Sequence, residues 1–212
     1  MKRCDKLLAL YGRLLAAYGP QKWWPAESAF EVIVGAVLTQ NTSWKNVEMA
    51  ISRLKDTGLL ELENIVALPV DELAELIKSS GFFNVKAKRL KNLCGWLQSQ
   101  GGLDAVATWD TGRLRRALLG INGIGPETAD DILLYAFERP VFIIDNYTRC
   151  LLKNMELIQG KEDYNNLQRM FEACLPPDNG LYNEYHALIV RHAKERCTHD
   201  SRCRHCGVEA PI

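Results

Sequence analysis

Apolar residues recur every three or four positions along most of the chain, which is the spacing of one face of an α-helix. The N-terminal stretch predicts an amphipathic helix, with its apolar face at Leu7, Leu8, Tyr11, Leu14, Leu15 and Tyr18. Asp5, Lys6 and Arg13 interrupt this stretch, which argues against a signal peptide or a membrane span. We therefore expect a folded first helix, a cytoplasmic location and no membrane contact.

The segments that follow also have helical spacing. SAFEVIVGAVL is apolar almost all round, which predicts a buried central helix, and Ser28 and Glu31 have the spacing of a capping box. A further helix is predicted from Asp71, as its N-cap, to Gly81. The remaining predicted helices are SWKNVEMAISRL, VKAKRLKNLCGWLQSQ, TGRLRRALLG, PETADDILLYAF, EDYNNLQRMFEAC and LYNEYHALIVRHAKERC. The β-like run VFII is short and has no obvious partner, so the sequence predicts an all-α fold.

The stretch LGINGIGPETA places two glycines, Gly123 and Gly125, just before a helix that begins with Pro126. The start of a helix exposes backbone N–H groups, and glycine lets a phosphate approach them closely. Two interpretations of the turn remain open at this point. It is either a helix–hairpin–helix that binds phosphate or an ordinary turn in which glycine supplies unusual backbone angles.

Twenty residues after Gly125, the apolar run VFII leads to Asp145 at the start of another predicted helix. Asp145 is either a simple N-cap, worth about 1 kcal/mol, or a functional carboxylate. A carboxylate fixed at this point is suited to stabilising a cationic sugar or to orienting a water towards its anomeric carbon.

The composition of the 212 residues gives no excess of charge, since 26 basic residues balance 26 acidic ones. DNA binding stays possible because it requires a local basic patch rather than a global excess. Two basic clusters are candidates for such a patch, with solvated helix faces as the alternative. They consist of Lys86, Lys88, Arg89 and Lys91, and of Arg113, Arg115 and Arg116.

Four of the seven cysteines lie singly in segments of helical apolar spacing, and we predict them to be buried free thiols. These are Cys4, Cys94, Cys150 and Cys174. The other three, Cys197, Cys203 and Cys206, lie close together near the end of the sequence.

Hairpin, helix, apolar run and aspartate occur here in an order that resembles the helix–hairpin–helix DNA glycosylases related to endonuclease III. GAVLTQNTSWKNV, GFFNVKAKRLKNL and GINGIGPETADDILLYAFERPVFIIDNYTRC resemble successive motifs of that family, from about Phe30 to Cys206. The resemblance implies one two-lobed helical glycosylase fold over 1–212. Residues 28–139 form a central lobe with the hairpin, 1–27 and 140–196 a second lobe, and 197–212 a cysteine-rich tail.

The resemblance also implies a monomeric enzyme that starts base-excision repair on double-stranded DNA containing a damaged base. Asp145 matches the catalytic residue of the family. The implied DNA contacts are Gln40, Lys86, Lys88, Gly123, Gly125 and Thr128.

Members of the family that also cut the backbone carry a Schiff-base lysine two residues after the second hairpin glycine, where this chain has Glu127. A carboxylate does not form an imine, and Lys153 and Lys161 lie outside the motif, so a monofunctional glycosylase is predicted. Two alternatives remain: a bifunctional enzyme acting on damaged pyrimidines, and a DNA-binding protein without catalysis.

The closest resemblance is to the type III 3-methyladenine branch of the family, in which Trp23, Trp24, Trp44 and Lys194 match the base pocket. Aromatic faces attract cations, so such a pocket suits a flipped N-alkylated purine. Taken one at a time and from the residues alone, the tryptophans are better explained as core residues and Lys194 as a cation at a helix end.

The run C-x5-C-x2-C near the end resembles the iron–sulfur loop of many endonuclease III relatives, which supplies four thiolates to a [4Fe–4S] cluster. The fourth cysteine is expected around position 212, which is Ile212. One hypothesis is a cluster with a non-cysteine ligand such as His199 or His205, or with a ligand lost by truncation. The other is a tail without a cluster that binds zinc weakly or no metal.

Overall fold

The computed structural model describes residues 3–21, 23–24 and 26–196. The regular structure of this described part is helical and contains no strand, which confirms the predicted all-α fold. The helices are α1 Arg3–Tyr18, α2 Ala29–Leu38, α3 Trp44–Asp56, α4 Leu62–Ala67, α5 Val70–Leu76, α6 Phe83–Ser99, α7 Leu103–Ala107, α8 Thr111–Leu119, α9 Pro126–Asp131, α10 Asn146–Asn154, α11 Tyr164–Glu172 and α12 Asn179–Arg196. A 3₁₀ turn, Lys78–Ser80, precedes α6, and a π-helix, Ile132–Ala136, follows α9 directly. None of the described helices is both long and apolar enough to cross a membrane.

The chain divides into two compact units. The continuous unit, Ala26–Glu138, contains α2 to α9. The discontinuous unit joins Met1–Pro25 to Arg139–Ile212 and contains α1 and α10 to α12.

Helix α2 is the centre of the continuous unit. All residues from Phe30 to Leu38 are buried, which confirms the predicted buried helix, and α2 contacts α3, α6, α9 and the π-helix. The Ser28 hydroxyl accepts a hydrogen bond from the Glu31 N–H at 3.1 Å, as predicted. The Glu31 carboxylate accepts instead from the Glu27 N–H at 2.9 Å and pairs with Lys55, so one half of the predicted capping box forms.

Helix α5 differs from its predicted bounds at both ends. Its N-cap is Pro69, and Asp71 lies in the first turn, where its charge still favours the helix dipole. The helix ends at Leu76, and the 3₁₀ turn carries the chain on to Gly81, whose φ of 67° favours glycine.

Aromatic rings fill the core of the discontinuous unit. Phe142 stacks on Phe171 with the ring centroids 4.0 Å apart, and Tyr185 meets both rings edge-on. The Tyr185 hydroxyl donates to the Leu7 carbonyl at 2.8 Å and so joins α12 to α1. The apolar face of α1 is narrower than predicted, because Leu8 is exposed.

The apolar run Val141–Ile144 is buried but does not form a strand. Its backbone polar groups require partners because they are cut off from water. Side chains of α11 provide them: the Phe142 N–H donates to Glu172 at 3.0 Å, and the Phe142 carbonyl accepts from Gln168 at 2.8 Å. Helix α11 thus takes the place of a neighbouring strand and fixes the residue that follows the run, Asp145.

The prediction of four free thiols is wrong for two of them, because Cys4 and Cys174 form a disulfide. The two cysteines lie 170 residues apart, and their spacing in the sequence carries no sign of the contact. Cys94 and Cys150 are free, as predicted, and Cys94 is buried. Burial raises the pKa of the Cys94 thiol to about 12, which makes it unreactive.

We expect the disulfide to raise the free energy of unfolding of the discontinuous unit by up to about 5 kcal/mol, because closing so long a loop lowers the entropy of the unfolded chain. Cys174→Ser should therefore lower the melting temperature, and dithiothreitol should lower that of the wild type to a similar value. Cys150→Ser, which removes a free thiol, is the matched control and should melt as the wild type does. Equal melting temperatures for the Cys174→Ser variant and the oxidised wild type would contradict this expectation.

Candidate active site and nucleic-acid interface

Asp145 is the N-cap of α10, as the sequence predicts. Its Oδ1 accepts a hydrogen bond from the Thr148 N–H at 2.7 Å. The Nε2 of His186, on α12, lies 3.4 Å from its Oδ2. Asp145 as a whole is only 8% exposed, so its carboxylate is held in a fixed orientation with a small part of its surface accessible.

The environment of Asp145 favours its charged form. Burial by itself raises the pKa of this carboxyl, but His186 and the Thr148 N–H together outweigh burial and hold the pKa below its ordinary value. Asp145 is therefore an anion at neutral pH, with no tendency to act as a general acid.

Lys194 and Trp23 of the predicted base pocket come together in the discontinuous unit. The Lys194 ammonium lies 5.6 Å from the centroid of the Trp23 ring, within the range of a cation–π contact. Although Lys194 is not a buried residue, partial desolvation of the ammonium lowers the pKa of Lys194, and the negative charge of Asp145 partly opposes this shift. Trp24, the next residue, is half-buried.

Trp44 belongs to the continuous unit, at the start of α3. It is half-buried, and its indole N–H donates to Glu48 one turn further along the helix at 2.8 Å. That Trp44 contributes to the same pocket as Trp23 and Trp24 stays a prediction from the resemblance.

The two hairpin glycines have different environments. Gly123 has a φ of 97°, and a Cβ at this position would lie 2.3 Å from Cγ of Arg89, so both backbone and packing require glycine. Gly125 is extended, with φ −88° and ψ 176°, and a Cβ there would meet no atom within 4 Å. Space therefore remains open beside the first residue of α9.

Gln40 connects the loop after α2 to the hairpin. Its amide nitrogen donates to the Thr128 hydroxyl at 2.8 Å and to the Gly123 carbonyl at 3.3 Å, and its amide oxygen accepts from Arg89. Three residues predicted to contact DNA are thus brought together. Thr128 itself is buried, so its side chain holds the hairpin from inside, and the DNA contact of this residue stays a prediction.

Lys86 does not reach the surface, contrary to the prediction that it contacts DNA. The residue is 1% exposed, and its ammonium donates to the carbonyls of Leu38 at 2.8 Å and Ser80 at 2.6 Å. The last carbonyls of a helix lack intrahelical partners, and the Lys86 ammonium provides a donor for the carbonyl of Leu38, the last residue of α2. Burial, with a contribution from Arg89, lowers the pKa of Lys86 to about 8.

Other members of the basic clusters also face inwards. Lys91 donates to carbonyls at the end of α4, including that of Leu68 at 2.7 Å. Arg115 forms a two-point ion pair with the buried carboxylate of Asp130, at 2.7 and 2.9 Å. Lys88, by contrast, is exposed as the predicted DNA contact requires.

Phe82 is a residue to which the sequence analysis gave no role. It precedes α6 in the left-handed conformation, with φ 46°, and is 69% exposed. The neighbouring Val85 is also exposed, so the start of α6 presents an apolar tip. A large apolar side chain held exposed by a sparsely populated backbone conformation is a candidate for contact with a partner.

Comparison with known proteins identifies the family. A family model described as HhH-GPD superfamily base excision DNA repair protein matches residues 34–177, which is more than half of the chain. The chain belongs to this superfamily. It is a DNA glycosylase of base-excision repair, as the resemblance implied.

Individual relatives cover nearly the whole glycosylase. "Putative DNA repair glycosylase MJ1434" of Methanocaldococcus jannaschii is 47% identical over 208 residues, covering 97% of this chain and 94% of the relative. The crystal structure of H. pylori 3-methyladenine DNA glycosylase bound to 1,N6-ethenoadenine is 34% identical, with a TM-score of 0.78, and covers 92% of this chain and 98% of that one. A non-covalent endonuclease III–DNA complex shares the fold at 18% identity, with a TM-score of 0.82 and coverage of 98% and 94%.

The three clustered cysteines of the glycosylase, Cys197, Cys203 and Cys206, lie outside the described residues. Within residues 3–21, 23–24 and 26–196, no group of three or more His, Cys, Asp or Glu side chains is arranged to hold a metal ion. The iron–sulfur cluster therefore stays a prediction for the tail, which iron analysis and the visible absorbance of the purified protein test.

The stability of the glycosylase should depend on the charge of Asp145. A carboxyl whose pKa is lowered by folding contributes stability above its unfolded pKa, about 4 for aspartate, and loses it as the pH falls through the folded pKa. Asp145→Asn retains a residue suited to the N-cap but removes the charge. We expect the variant to be less stable than the wild type at pH 7 by about 1.5–3 kcal/mol, the contribution of a hydrogen bond to a charged group.

Urea denaturation of both proteins at a series of pH values measures this difference. It should be present at pH 7 and should shrink as the pH falls below about 4. A difference that does not change with pH would show that the charge of Asp145 does not stabilise the fold.

Proposed function

We propose that the glycosylase is monofunctional and removes N-alkylated purines, such as 3-methyladenine, from double-stranded DNA to leave an abasic site. The observation that carries the proposal is the nearly buried carboxylate of Asp145, which accepts a hydrogen bond from the Thr148 N–H and lies beside His186. The resemblance supports the same role for this residue.

The charge of Asp145 suits the departure of an alkylated base. When the bond between the sugar and the base breaks, its electron pair passes to the base and neutralises the positive ring, while positive charge develops on the sugar. A fixed anion stabilises that sugar, and it needs no reorganisation because the Thr148 N–H and the neighbouring His186 already hold it. Water then adds to the anomeric carbon and releases a proton. The leaving base requires no proton, in agreement with a carboxyl group whose pKa is low.

The hairpin supports a monofunctional reaction. Glu127 lies exposed in the first turn of α9, two residues after Gly125, where bifunctional members of the family carry their Schiff-base lysine. A carboxylate cannot attack the anomeric carbon to form an imine, because imine formation requires an amine. Water is therefore the nucleophile in the proposed reaction.

Trp23 and Trp24 support a purine substrate. Their partly exposed rings provide apolar faces on which a flipped base stacks, with Trp44 as the third aromatic residue implied by the resemblance. Lys194, at the Trp23 ring, adds a polar group to this surface. The H. pylori 3-methyladenine glycosylase, 34% identical, was solved with the modified purine 1,N6-ethenoadenine.

We assign phosphate binding to the hairpin. The start of α9 and the open space beside Gly125 suit a DNA phosphate, and the exposed Lys88 adds positive charge. Phe82 is suited to contact the bases of a distorted duplex, because apolar side chains at such interfaces wedge between base steps.

Asp145→Asn should abolish base release and leave duplex binding unchanged, because the charge acts on the sugar and not on the phosphates. We expect the rate of excision to fall by at least a factor of about 10² to 10³, which is the loss in other enzymes when one group that stabilises transition-state charge is removed. Chromatography of the bases freed from dimethyl-sulfate-treated DNA measures excision, and a gel-shift assay measures binding.

Asp163→Asn is the matched control. Asp163 is also an N-cap aspartate, bonded to the Asn166 N–H at 3.1 Å, but it is exposed and starts α11. This variant should excise bases at the wild-type rate. Full activity of Asp145→Asn, or equal inactivity of the two variants, would refute the proposed role.

Borohydride trapping on a duplex with an abasic site tests the monofunctional reaction. Because no lysine occupies the hairpin position, we expect no covalent adduct under conditions in which endonuclease III, as the positive control, is trapped. An adduct would favour the alternative, a bifunctional enzyme acting on damaged pyrimidines.

A further inference from the structure

One face of α6 connects several segments of the continuous unit. Lys86, Arg89 and Asn92 follow one another at intervals of three, which places them on the same side of the helix. Lys86 binds the last carbonyl of α2, Arg89 binds the side chain of Gln40, and Asn92 donates to the Asn122 carbonyl in the hairpin at 3.2 Å. The basic segment of α6 therefore acts within the protein to hold the loop after α2 and the hairpin.

Arg89 has the central position on this face. Its stem packs beneath Gly123, where a Cβ would lie 2.3 Å from Cγ and 2.9 Å from Cδ of the arginine. Its guanidinium donates to the amide oxygen of Gln40. The absence of a side chain at Gly123 is thus what allows Arg89 to pass under the hairpin and reach Gln40.

The chemistry of the guanidinium determines how Gln40 is oriented. Because a guanidinium has only donors, it accepts no bond from the NH₂ of Gln40 and binds the amide oxygen. The NH₂ group is then directed to the hairpin, where the Thr128 hydroxyl at 2.8 Å and the Gly123 carbonyl at 3.3 Å accept from it. If the Gln40 amide were rotated by about 180°, its NH₂ group would face the N–H groups of Arg89, and two donors do not form a hydrogen bond.

We propose that Arg89 is a positioning residue, which fixes Gln40 and the hairpin in one arrangement before DNA binds and does not itself contact phosphate. The proposal rests on the proposed function to the extent that Gln40 and the hairpin are the elements that meet DNA. Its benefit is preorganisation: a loop and a side chain that are already ordered lose less freedom on binding.

Arg89→Met tests the proposal, because methionine keeps an unbranched apolar stem beneath Gly123 and removes every donor to Gln40. The matched control is Lys88→Met, which removes the same charge from the exposed neighbouring position. The partner variant is Gln40→Ala, alone and combined with Arg89→Met. The probe is a duplex containing a tetrahydrofuran abasic site, and its Kd is measured at several salt concentrations.

We expect Arg89→Met to raise the Kd roughly 10-fold or more, which corresponds to the loss of a hydrogen bond to a charged group. The slope of log K against log salt should stay at the wild-type value. Lys88→Met should instead lower the slope of log K against log salt by about one, the mark of a lost phosphate contact. Adding Arg89→Met to Gln40→Ala should cause little further loss, because the two residues act through one contact.

Hydrogen exchange of the free protein provides a measurement that does not involve DNA. The amides of residues 122–128 should exchange faster in Arg89→Met and Gln40→Ala than in the wild type and Lys88→Met. Arg89→Lys, which keeps a charge and a donor, should restore part of the protection. It also serves as the test variant if Arg89→Met does not fold.

Three results would overturn the proposal: unchanged exchange in residues 122–128, a salt slope in Arg89→Met reduced as in Lys88→Met, or additive losses in the double variant. Failure of the proposed function is recognised separately, by a wild-type protein that releases no alkylated purine. The exchange measurement still decides the role of Arg89 in that case.

Discussion

The discontinuous unit is organised around one constraint, which is that a carboxylate must remain charged while almost fully buried. An ion removed from water is costly unless hydrogen bonds and opposite charge replace the solvent. Three helices meet this requirement for Asp145: α10 supplies the Thr148 N–H, α12 supplies His186, and α11 holds the run that leads to the aspartate. The charged state of Asp145 therefore depends on the packing of these three helices as much as on the residue itself.

In the proposed function, the continuous unit has a different task, which is to bind a polyanion although the chain has zero net charge. Much of its basic sequence is used internally, since Lys86, Lys91 and Arg115 bind carbonyls or a buried carboxylate. In the proposed interface, contact with DNA thus depends on a few exposed cations and on the start of α9 at the hairpin. Specific placement of these groups replaces an excess of positive charge.

Features set by local spacing were predictable from the sequence, and features set by distant contacts were not. The buried α2 and the cap formed by Asp145 follow from periodicity and from residue preferences at helix starts. The burial of Lys86 was not foreseen, because its partners are the free carbonyls at the end of another helix. The disulfide and His186 were missed for the same reason, since nothing near them in the sequence marks their partners.

Because the discontinuous unit is built from two separated segments, it is completed only after the continuous unit has been synthesised. Helix α1 leaves the ribosome before the other described helices, but Tyr185, whose hydroxyl bonds to it, and Cys174, which is bonded to Cys4, come near the end of the described chain. The continuous unit, Ala26–Glu138, emerges whole in between. The nascent chain therefore has the hairpin and its supporting helices available to fold before α12, which packs against α1, has been synthesised.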